Sequence, residues 1–278
     1  MIFRVTGSAT LAVLLGFAAG PVQKPAPKAK PPSLTKPQAA VAPATAQSQG
    51  SSTEKAAEPV VPPVAPVSPK PAAGKTETLR FNVNWPSGLS LGEGEFTAVQ
   101  EGSEWSFSMK VDAAFPAFRL AESANSRASG DLCSLEFRKE ATRGKRQIGE
   151  KTTFDPATLT ATRTTGNGGG KSETRINACA KDALTFLWFA RRELAAGRVP
   201  QSQPLFYGAA YQTRLQYTGT QRIRSGAEYV EADKLTAFLK GPASEFTVEL
   251  YFARDAARTP IQASIPVALG RFTVEFER

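Results

Sequence analysis

Histidine is missing from all 278 residues. Its absence removes Ser-His-Asp and Cys-His catalysis, the HExxH zinc site and the commonest metal ligand. An enzyme built on this chain would have to work with carboxylate, lysine, tyrosine or serine chemistry. No catalytic residue, metal site or cofactor is therefore assigned, and the chain is expected not to be an enzyme. Cysteine is nearly missing too, with only Cys133 and Cys179 present. Acidic side chains are scarce at the start. Residues 1–75 carry eight basic groups (Arg4, Lys24, Lys28, Lys30, Lys36, Lys55, Lys70, Lys75) against Glu54 and Glu58, while 26 basic and 23 acidic groups remain for residues 76–278. Most of the net charge of +9 thus belongs to the tail, and the nearly balanced remainder gives no reason to expect a nucleic-acid partner. A long apolar run is also lacking: residues 9–19 fall short of the ~20 that a bilayer span needs.

What is present at the start has the layout of an export signal. Residues 1–20 (MIFRVTGSATLAVLLGFAAG) carry one positive charge at Arg4, then an apolar stretch, then small residues. Pro21 directly after the small residues leaves two readings, a cleaved signal peptide or a retained N-terminal membrane anchor. Residues 21–75 contain thirteen of the 21 prolines and no aromatic residue. Proline fixes φ and removes a donor, so this stretch reads as a disordered, polyproline-like linker. It would serve as a spacer or as a ligand for a proline-reading protein partner. The chain is expected in the periplasm, and a membrane tether at the N-terminus would hold it to the inner membrane.

From Thr76 the composition changes. Leu79, Phe81, Val83 and Trp85 alternate with Arg80, Asn82 and Asn84, and Trp105, Phe107, Met109 and Val111 repeat the alternation. Period two is the signature of a strand with one buried face. Further strands are read at 118–128, in a polar hairpin turning at Arg143-Gly144-Lys145, at 159–165 and 172–176 across a glycine-rich turn, and at 211–217, 221–224, 229–239, 246–253, 261–267 and 271–276. The one helix is CAKDALTFLWFARRELAAG, about 180–196, with Thr185 the single polar residue between Ala183 and Ala190. A helix apolar on all sides is buried, and Gly197 with Pro200 marks its end. The expected architecture is mainly β: a single antiparallel sheet curled into a barrel-like or spiral roll around that buried helix, within a β-rich domain of residues 76–278.

The candidate chemistry is sparse. Cys133 and Cys179 read as a structural disulfide in an exported protein. Their 45 intervening residues would make the closure stabilising by about 4 kcal/mol in the chain-entropy picture. A redox pair is the rival reading, but the spacing is not CxxC. Asp182 is placed in the first turn of the helix, facing the positive end of the macrodipole. Arg191 and Arg192 lie near the negative end, with the alternative that they hold an anionic headgroup at a cavity mouth. Trp85, Trp105, Phe186, Trp188 and Phe189 complete the candidate ligand-cleft set, with an ordinary aromatic core as the plain alternative. TGNGGGKS lacks phosphate-loop spacing and reads as a hairpin tip. Glu95, Asp112, Glu122 and Asp131 are carboxylates that nothing in the sequence pairs.

ETLRFNVNWPSGLSLGEGEF, DLCSLEFRKEA, the CAKDALTFLWFARREL helix and the late YFARDAARTPIQASIPVALGRFTVEF resemble the exported bacterial family called domain of unknown function 3108. The likeness covers about residues 76–278, and the family usually has serine where this helix has Thr185. The resemblance implies a periplasmic, mainly antiparallel β protein of the Gram-negative cell envelope and carries no activity with it. The curled sheet around a helix is also similar to periplasmic lipoprotein carriers. The leading functional expectation is a non-enzymatic envelope protein binding a lipid or other hydrophobic component in a cleft between sheet and helix. The alternatives are a structural or interaction module contacting a protein partner or peptidoglycan through a sheet edge, and a carboxylate-dependent glycan hydrolase.

Overall fold

The alternation of apolar and polar residues is realised as strands along almost the whole domain. The structure, a computed structural model, describes residues 75–115, 118–166, 169–242, 244–267 and 270–277. The expectations for residues 1–20 and for the linker up to residue 74 lie outside the described residues.

The strands are β1 (Lys75–Asn84), β2 (Ser90–Glu101), β3 (Glu104–Phe115), β4 (Phe118–Ser129), β5 (Ser134–Arg143), β6 (Arg146–Asp155), β7 (Thr160–Thr165) and β8 (Gly170–Arg175). The short β9 (Lys181–Asp182) and the helix α1 (Ala183–Ala195) follow. They lead into β10 (Leu205–Tyr207), β11 (Ala209–Ser225), β12 (Glu228–Lys240), β13 (Glu245–Ala253), β14 (Pro260–Val267) and β15 (Gly270–Phe276). All fifteen belong to one sheet in the order β8-β7-β6-β5-β4-β3-β2-β1-β15-β14-β13-β12-β11-β10-β9. Two antiparallel meanders are joined by the pairing of β1 with β15, so Phe81 lies opposite Phe276 and Val83 opposite Val274.

The two ends of the sheet meet different fates. β8 is an outer edge whose six residues are all exposed, and Lys171, Glu173 and Arg175 charge it, which opposes pairing with a foreign strand. The other end is folded inside. Ser134 N–H donates to the Ala180 carbonyl at 2.9 Å, and the Cys133–Cys179 disulfide holds the same point with its Cα atoms 4.6 Å apart. The β9 end is thereby fastened against the start of β5, and the sheet becomes a spiral roll with α1 in its centre. Close packing of adjacent strands sets local rules. A Cβ on Gly94 would come within 2.3 Å of the Phe81 ring and 2.5 Å of the Lys110 carbonyl, so only glycine lets β2 pass there.

The first half of the helix, Ala183–Ala190, is apolar but for Thr185, and both halves of the sheet pack on it. Trp188 stacks on Phe96 with ring centroids 5.6 Å apart and lies within 6.0 Å of Trp105 and 5.8 Å of Phe107. Phe186, Ala190 and Leu194 meet Leu205, Leu235 and Phe252 on the other side. Burying each large side chain of this kind contributes about 2 kcal/mol. At the C-terminus, Gly197 adopts φ +72°, its N–H donates to the Leu194 carbonyl and the Arg198 N–H to the Glu193 carbonyl. That is a Schellman closure, which needs a left-handed residue at this position.

Three features differ from the sequence expectation. The helix begins at Ala183, and Lys181 and Asp182 form β9, which pairs in parallel with Leu205 and Phe206 of β10. The helix is the crossover that makes this parallel pair possible, so the sheet is not wholly antiparallel. β10 itself was not read, because three residues between Pro204 and Gly208 are too few to show a period. The strands expected at 211–217 and 221–224 are one strand, β11, whose register against β12 shifts between Tyr217 and Thr220.

Candidate functional site

Period two explains which polar side chains end up inside. Along β4 the alternation that buries Leu120, Ala124 and Ala128 also buries Glu122 and Ser126. On β5 it buries Phe137, Lys139 and Ala141. The adjoining β6 and β7 turn Glu150 and Arg163 to the same side. β10 crosses this inner face and brings Tyr207, so two separate polar groups form within the roll.

The first centres on Asp182, which is fully enclosed. Oδ1 accepts from the Leu184 N–H at 2.9 Å and the Thr185 N–H at 3.1 Å, making Asp182 the N-cap of α1 and not a first-turn residue. Oδ2 accepts from the hydroxyls of Ser126, Ser134 and Thr185. A serine in place of Thr185 would supply the same hydroxyl. Nothing about this carboxylate is left unsatisfied. Its neighbour Lys181 donates to the Leu132 carbonyl at 2.9 Å and lies 4.4 Å from the Phe189 ring centroid. Burial, with some help from Arg192, pulls the Lys181 pKa down to about 8.

The second centres on Glu122, only 4% exposed. The Tyr207 hydroxyl donates to its Oε1. Its Oε2 is buried and has no hydrogen-bond partner among the described residues. Such an atom costs about 1–3 kcal/mol. Burial pushes the Glu122 pKa up to about 7; Lys139 and the Tyr207 hydroxyl oppose the rise and Glu150 adds to it. Burial and the Glu122 charge hold the Tyr207 phenol well above its ordinary value. The Lys139 Nζ lies 4.9 Å from the Tyr207 ring centroid. Lys139 pairs across strands with Glu150, and Arg163 grips Glu150 through Nη2 at 2.8 Å and Nε at 3.3 Å. Gly208, at φ +73°, is pressed on this group: a Cβ there would sit 2.3 Å from Glu150 Oε2 and 3.0 Å from Lys139 Nζ.

Beside the second group lies an apolar cavity of about 170 Å³ between α1 and strands of both meanders. Val111, Phe186, Tyr207, Ala237, Phe246 and Ala263 are among its walls. Tyr207 thus belongs to the cavity and to the Glu122 pair at once, and Val111 is the cross-strand neighbour of Glu122. A separate open groove of about 920 Å³ lies on the outward face, where Arg80, Glu95, Lys110, Asp112 and Glu140 project to solvent.

The sequence-predicted cleft residues do not gather at one place. Of the seven, Phe186 alone lines the apolar cavity. Trp188 and Trp105 belong to the aromatic cluster under β2 and β3, and Trp85 meets Phe272 edge-on at 4.7 Å. Phe189 lies beneath Lys181 and Arg192. Arg191 is buried over the Trp188 ring at 4.1 Å, bonds Glu77 at 2.8 Å, and donates from Nε to the carbonyls of Ala257 and Arg258. Arg192 donates to the Gly130 and Asp131 carbonyls. Both arginines therefore tie the helix to its surroundings. Among the carboxylates named from the sequence, Asp112 pairs with Arg119 on the surface and Glu122 alone enters the interior group. Lys139, Glu150, Arg163 and Tyr207 were missed. The signal for Lys139 is legible, since Phe137-Lys139-Ala141 puts a charge on an apolar register, although the sequence reading makes the segment a polar hairpin.

Residues 80–277 match the model of a family described as "Protein of unknown function (DUF3108)". No curated protein matches the chain. Among solved structures, the chain is similar to the "Crystal Structure of Beta-barrel-like Protein of Domain of Unknown Function DUF1849 from Brucella abortus", with 7% identity, a TM-score of 0.49, and coverage of 73% of this chain and 95% of that one.

Proposed function

Because the chain belongs to the DUF3108 family, whose description names no activity, we propose its role from the interior of the roll: it is a non-enzymatic, exported protein of the cell envelope that binds a hydrophobic envelope component between α1 and the curled sheet. The observation that carries this reading is the apolar cavity of about 170 Å³, one of whose walls is Tyr207. A concave, predominantly apolar space with a polar group in its wall is the usual form of a small-molecule site. Its size defines the occupant. A cavity of about 150 Å³ takes a benzene ring, so this one takes an aromatic ring or the last six or so carbons of one acyl chain, and not a whole two-chain lipid. The N-terminal export layout and the disulfide support a periplasmic setting.

Ala237 and Ala263 allow a direct test, since both are buried wall residues. Ala237→Leu should fill the space, abolish binding of 1-hexanol followed by NMR titration of the full chain, and leave the unfolding midpoint unchanged or raised, because filling a cavity stabilises by up to about 1 kcal/mol. Wild-type protein that takes up no hexanol, or a leucine variant that binds as wild type does, would sink this reading.

A further inference from the structure

The disulfide that fastens the inner end of the sheet has a lysine set against one of its two sulfurs. Lys181 Nζ lies 3.2 Å from Cys179 Sγ and donates to the carbonyls of Leu132 at 2.9 Å and Cys179 at 3.5 Å. The residue is 3% exposed and forms no ion pair among the described residues. All its acceptors are neutral, so a buried ammonium stands without a bonded counter-charge. The carboxylates felt at Lys181 are Asp182, Glu193 and Asp131. Asp182 is ringed by its own donors, Glu193 is gripped by Arg198, and Asp131 faces solvent.

The two sulfurs are therefore not equivalent. Cys133 donates its N–H to Ser129 Oγ, and among the described residues no basic group bonds its Sγ. Both cysteines are half-buried, so their bond is not sealed in the core. When a thiolate opens a disulfide, one sulfur must leave as an anion, and an adjacent ammonium stabilises that anion. The sulfur that forms the more stable thiolate leaves faster, and attack falls on the other.

We propose that the Cys133–Cys179 bond is an exchange site for small thiols, in which Cys133 is attacked and Cys179 leaves as a thiolate held by Lys181. The incoming thiolate sulfur forms its bond to Cys133 Sγ. The Cys133–Cys179 bond breaks, and its electron pair stays on Cys179 Sγ as the anion that Lys181 lacks. No oxidant or reductant is consumed, because one disulfide replaces another. The product carries the small thiol on Cys133 and frees β9 from its covalent link to β5. The Ser134–Ala180 bond and the hydrogen bonds of Asp182 still hold the helix entrance, so return attack by Cys179 can close the link again.

Reduced glutathione, added to the full chain at pH 7 where Lys181 is mainly protonated, tests the assignment. Acid quenching at short times, alkylation of the freed thiol with N-ethylmaleimide and peptide mapping locate both labels. Glutathione should sit on Cys133 and the maleimide on Cys179, in about threefold or greater excess over the reverse arrangement. This readout needs no variant. Lys181→Met keeps a side chain of similar length beside the Phe189 ring. It should lose the excess and form the mixed disulfide about threefold more slowly. Glutathione mainly on Cys179, equal labelling of the two sulfurs, or no exchange at millimolar glutathione would overturn the proposal. So would a methionine variant that keeps the excess or exchanges as fast as wild type.

Discussion

Asp182 and Glu122 are carboxylates enclosed in the same roll, and Ser126 beside Asp182 lies four residues along β4 from Glu122. Asp182 accepts five hydrogen bonds, from two backbone N–H groups and three hydroxyls. Glu122 accepts one, from Tyr207, and keeps a buried oxygen with no partner among the described residues. The contrast separates two uses of buried charge. A carboxylate ringed by donors makes a fixed joint, here locking the helix entrance to β4 and β5. A carboxylate supplied with too few donors in a dry setting shifts toward its neutral form and remains available for chemistry or recognition.

The largest effect should come from breaking the joint. Asp182→Ala removes the cap of α1 and strands three buried hydroxyls, and should cost on the order of 4 kcal/mol in urea unfolding. A loss below about 1 kcal/mol would mean that the disulfide and the Ser134–Ala180 bond suffice to hold the helix entrance.

Next comes the pH dependence of the second carboxylate. Its folded pKa of about 7 lies above the ordinary 4.5, so the folded state holds this proton more tightly than the unfolded chain does. Stability from this group is therefore full below about pH 4.5, declines as the pH rises, and levels off above about pH 7. The loss is on the order of 3 kcal/mol at most. The difference between wild type and Glu122→Gln, followed by unfolding at several pH values, isolates the slope from other titrating groups. A flat difference across pH 4.5–7 would show that Glu122 is not held toward its neutral form.

The smallest of these effects concerns the packing under the Glu122 group. Gly208→Ala would place a Cβ against Glu150 Oε2 on a left-handed backbone, and should cost about 2 kcal/mol while leaving the Asp182 joint intact. Retained cross-linking of Cys133 to Cys179 in that variant, read by mass, would confirm that the damage stays on one side of the roll.

How much of this could be read beforehand differs between the two sites. The Asp182 site was half legible. Both cysteines, the buried helix and a carboxylate at its start stand in plain view, yet the ring of hydroxyls does not, because Ser126 and Ser134 come from strands that reach the helix only when the sheet has curled. The Glu122 site was scarcely legible. Glu122 was one of four unpaired carboxylates, and its partners come from β5, β6, β7 and β10, of which β10 is too short to leave a pattern. The aromatic residues misled, because helix position alone cannot tell Phe186, which faces the cavity, from Trp188, which is packed against Phe96 and Phe107.

The amino-acid order alone determined everything that depends on neighbours along the chain. Alternation defined the strands, unbroken apolarity the central helix, Gly197 its end, and the absence of histidine the chemistry that is excluded. Family membership was legible for the same reason, as it rests on contiguous motifs. Only the tertiary structure decided that the sheet rolls in a spiral with one end inside, that β9 and β10 run parallel, and that Glu122, Lys139, Glu150 and Tyr207 form one interior group. Those outcomes depend on which faces meet across more than 80 residues of chain, between Glu122 and Tyr207. Local periodicity is blind to that distance; closure of the sheet and competition for burial settle it.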